Sequence, residues 1–280
     1  MQYLLLTIVS SVLVASFIKL SEKNDCNRIA VAAVNYLFAL LFSIALAVFQ
    51  GEIALSMPTL LVGVYGGITW VMGLLLLMYA VKRIGVAITS SVARLSVVLP
   101  VLLSVILYSE APGKIRSFGI LLAIAAIFLL SLRAKRDGRT FEPMYVAVLL
   151  FVWFASGSAE FAGKLFAAHC PAEEKSTYLC VLFTTALMIT SLAAVLFKKK
   201  PTRRDILFGG LIGLPNALSG LFIVSALVAL DAVLVYPTVA VGTVVIVSAL
   251  GIAVWKEKIP TAGYVGIALA IVSLILVNMR

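Results

Sequence analysis

The sequence has few charged residues and few of the side chains that build catalytic or metal centres. Only 12% of its 280 residues are charged and 63% are hydrophobic, which is far from the composition of a water-soluble domain. His169 is the one histidine, and the three cysteines, Cys26, Cys170 and Cys180, lack the spacing of a metal site or a disulfide framework. The sequence has no Walker motif, so we expect that the protein does not use ATP directly as an energy source. We therefore expect no metal and no cofactor.

Long apolar runs take up the chain instead. A bilayer core of about 30 Å needs roughly 20 residues of helix, and runs of that size lie at 3–20, 29–49, 59–81, 85–108, 116–132, 143–168, 175–197, 204–229, 232–254 and 261–278. Such runs are helices, because hydrocarbon offers no other partner for backbone polar groups. The first run has no basic segment or cleavage site of a signal peptide, so we expect it to be retained. The predicted fold class is all-α, a polytopic membrane protein with ten transmembrane helices.

The basic residues are placed unevenly, although the net charge is +10. Sixteen of the 22 Lys and Arg residues fall in the loops between predicted helices 1/2, 3/4, 5/6, 7/8 and 9/10 or, for Lys19 and Arg204, at the helix ends beside them. This alternation is typical of the positive-inside rule rather than of a nucleic-acid surface. It predicts a multi-pass protein of the cell (inner) membrane with these loops in the cytosol and both termini outside.

The two halves of the chain resemble each other. The segment "GVAITSSVARLSVVLPVLLSVILYSE" (85–110) aligns with "AVLVYPTVAVGTVVIVSALGIAVWKE" (232–257), and the same shift carries Gly63 onto Gly210 and Gly66 onto Gly213. The sequence therefore predicts two five-helix repeats, 1–132 and 143–280, joined by a loop at 133–142. Because five is odd, the second repeat is inverted, an arrangement typical of secondary transporters with a substrate site between the halves.

Each predicted half ends with a helix, an acidic turn and a second helix that carries a spaced glycine. These segments read "LYSEAPGKIRSFGILLAIAAIFLLS" and "VWKEKIPTAGYVGIALAIVSLILV". The chain resembles the EamA-type branch of the drug/metabolite transporter superfamily over essentially its whole length. The resemblance implies helices 1–4 and 6–9 around a central cavity, helices 5 and 10 at the periphery, and alternating access. It also implies cytosolic termini, against the distribution of charge.

Arg94 interrupts the apolar stretch "SSVARLSVVLP". Nine residues of rise from Gly85 place it about 13–14 Å into the membrane, where a cation costs about 2.5 kcal/mol or more unless it meets water or a partner. On a helical wheel, one polar face holds Thr89, Ser90, Arg94, Pro100 and Ser104. We predict that Arg94 and Ser90 line the cavity and bind the substrate. The alternatives are an arginine neutralised by a carboxylate or by carbonyls to hold helices together, an arginine that belongs to a gate, and a helix boundary that lies elsewhere.

Tyr236 belongs to the predicted wall opposite Arg94. The repeat partner of Arg94 is the uncharged Val241, so the internal symmetry is broken at this position. Tyr236 and Pro237 would give that wall a flat and less polar surface. The cavity is then cationic on one side and aromatic on the other.

Glu160, in "SGSAEFAGK", is the only carboxylate clearly inside a predicted helix. Helical spacing puts it on one face with Trp153 and Lys164. We predict that Glu160 and Trp153 bind the substrate and that Glu160 and Lys164 form an intrahelical pair. Glu160 is also the predicted counter-charge of Arg94 and the residue that would carry a coupling proton. The alternatives are a permanently ionised Glu160 and a Lys164 that snorkels to the interface.

Helices 2, 3 and 8 supply further candidates for the cavity. Pro215 frees backbone groups near Asn216, whose amide can both donate and accept hydrogen bonds. Asn35 and Tyr36 on helix 2 and Trp70 on helix 3 are predicted to line the same cavity. Pro215 and Lys164 join Glu160 as candidates for coupling or gating. The alternative is static packing along seams of small residues.

Two repeated features are predicted to be structural. Glu110 and Glu257 precede prolines at helix-to-helix turns, where a carboxylate can cap the N-terminus of the following helix. Gly119 and Gly266 begin small-residue pairs on helices 5 and 10, which we assign to packing or dimerisation, so the protein is either a monomer or a homodimer through these helices.

The leading functional prediction is a secondary transporter of small organic metabolites that carry a carboxylate or another anionic group. The alternatives are a proton-coupled exporter of cationic drugs or amines, and a non-transporting membrane scaffold or lipid-handling protein. The partners expected are a small-molecule substrate, the lipid bilayer and a coupling proton, but no nucleic acid. Ser158 in "SGS" is the only suggestion of an enzyme, and His169 lies eleven residues away in a loop, so we predict no catalysis.

Overall fold

The computed structural model describes residues 1–51, 53–84, 86–131, 143–254, 256 and 261–279. The predicted connecting loop 133–142 lies outside the described residues. Apart from turns and a 3-10 helix at Ala172–Glu174, the described chain is α-helical. The helices are α1 Gln2–Lys23, α2 Arg28–Gln50, α3 Met57–Arg83, α4 Val86–Leu95, α5 Val98–Tyr108, α6 Lys114–Ser131, α7 Pro143–His169, α8 Lys175–Leu196, α9 Arg203–Ala229, α10 Ala232–Ala253 and α11 Thr261–Asn278.

The described helices follow the predicted apolar runs, except that the fourth run forms two helices, and the all-helical class is confirmed for the described residues. Within those residues, seven helices are long and apolar enough to cross a membrane, namely α1, α2, α3, α7, α8, α9 and α10. Local sequence signals explain where α2 begins and ends. The Asn27 side chain accepts hydrogen bonds from Ile29 N–H (3.1 Å) and Ala30 N–H (3.3 Å) at the start of α2. Gly51 ends that helix in the left-handed conformation, with φ of 70°.

The fourth apolar run differs from its prediction as one continuous helix. It forms α4 and α5, separated by a turn at Ser96 and Val97. Pro100 explains the interruption: it has no N–H to donate to the carbonyl of Ser96, four residues earlier. Leu99 N–H donates to that carbonyl instead, at 2.9 Å. Val97 keeps right-handed dihedrals (φ −55°, ψ −23°), so the two helices continue through a tight 3-10-type turn.

The chain divides into two compact units that do not coincide with the predicted repeats. Unit 1 contains Met1–Val71 and Ala162–Ala229, and unit 2 contains Met72–Phe161 and Leu230–Arg280. Each unit therefore combines helices from both halves of the sequence. The division into repeats is a statement about sequence and stays a prediction.

In unit 1, glycines allow two pairs of helices to approach closely. A Cβ added at Gly63 of α3 would lie 2.7 Å from the Val181 side chain of α8, and one added at Gly66 would lie 3.1 Å from Leu182. The second crossing joins α9 to α2: a Cβ added at Gly213 would lie 2.7 Å from the carbonyl oxygen of Asn35. Both crossings are packed too tightly for a larger side chain to enter without displacing a neighbour.

In unit 2, α6 packs along α11. The carbonyl of Gly119 accepts a hydrogen bond from the Ser273 hydroxyl (2.9 Å), and a Cβ added at Gly119 would lie 2.9 Å from Val277 N. Gly119 is therefore used for packing within the chain, one of the two roles predicted for it. A homodimer through predicted helices 5 and 10, which stays a prediction, would have to use other faces of these helices.

Candidate functional site

The interruption between α4 and α5 leaves a backbone carbonyl that a tryptophan satisfies. Because Leu99 N–H donates to Ser96, the carbonyl of Leu95 needs another donor. Trp153 of α7 supplies it, since its Nε1–H donates to the Leu95 oxygen at 3.0 Å. Trp153 was predicted to bind substrate, and the structure gives its indole this backbone partner.

Close contact with α7 fixes the same turn. A Cβ added at Gly157, one helical turn after Trp153, would lie 2.8 Å from the carbonyl oxygen of Ser96 and 2.7 Å from Leu99 Cβ. Glycine is therefore the residue that lets α7 lie directly against the interruption. α7 therefore holds the turn both by the hydrogen bond from Trp153 and by van der Waals contact at Gly157.

Arg94 lies on the last turn of α4, two residues before the turn, and its side chain is exposed. The other predicted members of its polar face differ in burial: Thr89 and Ser104 are fully buried and Pro100 is buried. A helical wheel places residues on one face but does not determine how deeply each side chain is buried. The side chain of Ser90 lies outside the described residues.

Two buried hydroxyls flank this region within unit 2. Thr89 Oγ1 and Ser104 Oγ are buried and make no hydrogen bond in the part of the chain that the structure describes. Unsatisfied polar atoms are uncommon in native proteins and mark places where a bound group or water completes the bonding. They lie on α4 and α5, on either side of the turn beside Arg94.

Glu160 and Tyr236, two more predicted site residues, meet in unit 2. The Tyr236 hydroxyl donates to the backbone carbonyl of Glu160 at 2.6 Å, and Tyr236 is only 2% exposed. The Glu160 Oε2 atom is buried and has no hydrogen-bond partner among the described residues. The predicted pair of Glu160 with Lys164 and the predicted approach of Glu160 to Arg94 stay predictions.

Glu110 caps a helix, as predicted, but not the one that follows it in the chain. Its Oε2 accepts a hydrogen bond from Val233 N–H, in the first turn of α10, at 3.1 Å. Negative charge is stabilising at a helix N-terminus. Ser109 ends α5 in the left-handed conformation (φ 55°), and Glu110 comes directly after this change of chain direction. Glu257, predicted to act in the same way, lies outside the described residues.

In unit 1, the predicted residues Asn35 and Asn216 pair with each other. The Asn216 side-chain amide donates to Asn35 Oδ1 at 3.2 Å, and both side chains are buried. Pro215 is buried in α9 next to Asn216. This pair ties α2 to α9 through two amides that each keep further donors or acceptors.

The other predicted residues of unit 1 are more scattered. Tyr36 is buried and stacks on Phe183, with ring centroids 6.4 Å apart. Trp70 of α3 and Lys164 of α7 are half-buried. The predicted site residues are thus divided between the units: Ser90, Arg94, Trp153, Glu160 and Tyr236 belong to unit 2, and Asn35, Tyr36, Trp70, Lys164, Pro215 and Asn216 to unit 1.

Sequence reasoning missed Asp205, which organises one polar end of unit 1. Its carboxylate accepts hydrogen bonds from Asn27 N–H and from the N–H and hydroxyl of Thr202, all at 2.8 Å. The Thr202 hydroxyl in turn accepts from Asp205 N–H at 3.3 Å. The signal for this reciprocal cap is the spacing of Thr202 and Asp205 before an apolar run, which is close to a capping box.

Glu174 was missed in the same way at the other polar end of unit 1. Its Oε2 accepts hydrogen bonds from Ser56 N–H (3.0 Å) and from the Ser56 hydroxyl (2.7 Å). Nearby, the Ser176 hydroxyl donates to the Gln50 side chain at the end of α2 (2.9 Å). These contacts join residues more than a hundred positions apart, so no local pattern predicts them.

Comparisons with known proteins agree with this fold. Residues 1–132 match the model of the EamA-like transporter family. An uncharacterized protein of Haemophilus influenzae is 24% identical over 284 residues, covering 95% of this chain and 94% of that protein. A solved crystal structure superposes with a TM-score of 0.78 at 19% identity, covering 99% of this chain and 96% of the other. The chain is therefore a multi-pass helical membrane protein whose residues 1–132 carry the sequence signature of the EamA-like transporter family.

Proposed function

We propose that this protein is a secondary transporter of small organic metabolites that works by alternating access. The substrate class proposed is a metabolite with a carboxylate or another anionic group. The observation that carries the proposal is the interruption of the fourth apolar run directly after Arg94. Interrupted helices are typical of substrate sites in secondary transporters. Here Trp153 occupies the carbonyl that the interruption frees, so the proposal assigns substrate binding to the Arg94 guanidinium.

Arg94 supplies the chemistry for an anionic substrate. A guanidinium in the middle of an apolar run is costly unless water, a partner or a ligand stabilises it. Its planar fork donates two parallel hydrogen bonds to a carboxylate, which are stronger than neutral ones. The Arg94 side chain is exposed, and the proposal assigns this exposure to a water-filled passage rather than to lipid.

The two glycine crossings of unit 1 support the inverted repeat on which alternating access depends. The repeat shift carries Gly66 of α3 onto Gly213 of α9, and Leu182 of α8 corresponds to Asn35 of α2. Gly66 contacts Leu182 and Gly213 contacts Asn35. Contacts at equivalent positions are what two related halves would form, so the crossings favour a common origin for the repeats.

Transport by purified protein in proteoliposomes tests the proposal. An uptake screen should cover organic acids, amino acids and quaternary amines, with wild type, Arg94→Ala and Arg94→Lys side by side. We expect anion uptake that falls about tenfold or more in Arg94→Ala, because a hydrogen bond to a charged group contributes about 1.5–3 kcal/mol. Arg94→Lys should retain part of the activity. Anion uptake that is equal in all three proteins would refute this role for Arg94.

A second candidate is proton-coupled export of cationic compounds through Glu160. The observation that favours it is the buried Oε2 atom of Glu160 without a hydrogen-bond partner, since a cation or a proton would satisfy it. In this case Glu160→Gln should abolish stimulation of amine transport by a pH gradient, whereas Arg94→Ala should retain it. Specific binding of a water-soluble metabolite by the purified protein would count against the third alternative, a non-transporting scaffold.

A further inference from the structure

A charged pocket lies at the polar end of unit 1 that Asp205 organises. It has a volume of about 720 Å³ and is lined by residues 24–27, between α1 and α2, by residues 198–200 and 202, between α8 and α9, and by residues 203–205 in the first turn of α9. We call it the basic pocket. None of the residues predicted to bind the transported substrate contributes to it.

Positive charge dominates the basic pocket. Five basic side chains line it, and all are exposed: Lys198, Lys199, Lys200, Arg203 and Arg204. Within the described part of the chain, none of the five makes an ion pair. The lining also contains Asp205, but that carboxylate is buried and accepts hydrogen bonds from Asn27 and Thr202. Asp25 is the other acidic residue of the lining.

The backbone on both sides of the pocket is fixed by the same type of helix end. After α1, Asp25 N–H donates to Glu22 O (3.2 Å) and Cys26 N–H to Ser21 O (3.1 Å). After α8, Lys198 N–H donates to Val195 O and Lys199 N–H to Ala194 O in the same pattern, a Schellman motif. Asp25 (φ 54°) and Lys198 (φ 53°) therefore both take the left-handed conformation that glycine prefers.

Exposed apolar side chains border the pocket. At the end of α8, Val195, Leu196 and Phe197 are 60–73% exposed. At the start of α9, Ile206 and Leu207 are also exposed. In a membrane-spanning protein such side chains face acyl chains, so the pocket lies where the apolar surface meets water.

We propose that the basic pocket binds the phosphate headgroup of an anionic phospholipid, whose acyl chains lie along the exposed apolar ends of α8 and α9. A phosphodiester accepts charge-assisted hydrogen bonds from lysine and arginine. The neighbouring apolar surface favours a lipid over a soluble phosphate, because only a lipid contacts both surfaces at once. The proposal does not depend on what the protein transports.

Two substitutions with opposite charge effects test the proposal. Lys198→Gly removes a positive charge and Asp25→Gly removes a negative one, both at left-handed positions of the lining, where glycine fits without strain. The measurement is thermal unfolding of the full chain in uncharged detergent, titrated with phosphatidylglycerol or phosphatidylcholine, since a ligand of the folded state raises the unfolding temperature. Lys82→Gln, on α3, removes an exposed positive charge outside the pocket and serves as the control.

We expect phosphatidylglycerol to stabilise the wild type at lower concentration than phosphatidylcholine does. The apparent affinity for phosphatidylglycerol should fall roughly fivefold in Lys198→Gly, rise in Asp25→Gly and stay unchanged in Lys82→Gln. Equal effects of the two lipids, or shifts in the same direction for both glycine variants, would overturn the proposal. Stabilisation by inorganic phosphate equal to that by phosphatidylglycerol would also overturn it and would assign the pocket to a soluble anion.

Discussion

At the scale of single residues, Gly157 limits what the turn between α4 and α5 can tolerate. A Cβ at this position would lie within 2.8 Å of Leu99 and of the Ser96 carbonyl. We expect Gly157→Ala to lower the free energy of unfolding by about 1–3 kcal/mol, the usual cost of overpacking. Chemical unfolding in mixed micelles measures this change.

Gly73→Ala is the matched control for Gly157→Ala. A Cβ at Gly73 would lie 3.5 Å from Ser156, which is ordinary van der Waals contact. Alanine is also favoured over glycine within a helix by up to about 1 kcal/mol. We therefore expect Gly73→Ala to be neutral or stabilising. Equal destabilisation by both substitutions would show that close contact with the turn is not the cause.

The hydrogen bond of the Tyr236 hydroxyl can be removed by deleting a single oxygen atom. Tyr236→Phe deletes the hydroxyl that donates to the Glu160 carbonyl and should lower the free energy of unfolding by about 1 kcal/mol. Tyr264→Phe, in the exposed part of α11, is the control and should have little effect. If Tyr236→Phe and Tyr264→Phe have the same free energy of unfolding, the hydrogen bond makes no measurable contribution to stability.

At the scale of helices, the turn after α4 depends on a proline and a tryptophan from different elements. Pro100 removes the donor for the Ser96 carbonyl, and Trp153 satisfies the carbonyl of Leu95. Trp153→Phe should leave the latter unsatisfied and cost about 1–3 kcal/mol. In a Pro100→Ala background the helix can continue, and Leu99 N–H can then donate to the Leu95 carbonyl. Trp153→Phe should therefore lower the free energy of unfolding by less in this background.

A double-mutant cycle of unfolding free energies measures this dependence. The four proteins are the wild type, Trp153→Phe, Pro100→Ala and the double variant. A coupling of about 0.5 kcal/mol or more is expected. Strict additivity would mean that the indole does not compensate for the interruption.

The helix boundaries could be predicted from the sequence because hydrocarbon imposes a length and forbids unpaired backbone. For α2 the prediction of 29–49 compares with Arg28–Gln50 in the structure. The turn at Ser96 was not predicted, although Pro100 is a local signal for it because proline has no N–H to donate. The partner of Glu110 could not, because Val233 lies 123 residues away and nothing local specifies which helix is near.

At the scale of the whole molecule, the direction of insertion remains a prediction from charge. The loop of Cys26 is predicted to be cytosolic and that of Cys170 external, whereas the family resemblance implies the reverse. Single-cysteine variants treated in intact cells with a membrane-impermeant maleimide distinguish the two. We expect labelling at Cys170 alone, and labelling of Cys26 alone would reverse the orientation.

The pH of the labelling experiment follows from the surroundings of the two thiols. Burial and the nearby Asp205 carboxylate raise the pKa of the Cys26 thiol, and burial raises the pKa of the Cys170 thiol. Because the thiolate is the reactive form, both sites should react faster at pH 9 than at pH 7. Permeabilised cells provide the control in which both cysteines are accessible.

The central claim is that Arg94 faces a water-filled passage rather than lipid. The most direct test is Arg94→Cys in a background whose three native cysteines are replaced by serine, treated with a charged methanethiosulfonate reagent. Ile106→Cys, at a position on α5 that is 71% exposed, is the lipid-facing control. We predict that the cysteine at position 94 reacts rapidly and the one at 106 does not. An unreactive position 94, or equal reactivity at both positions, would contradict the account.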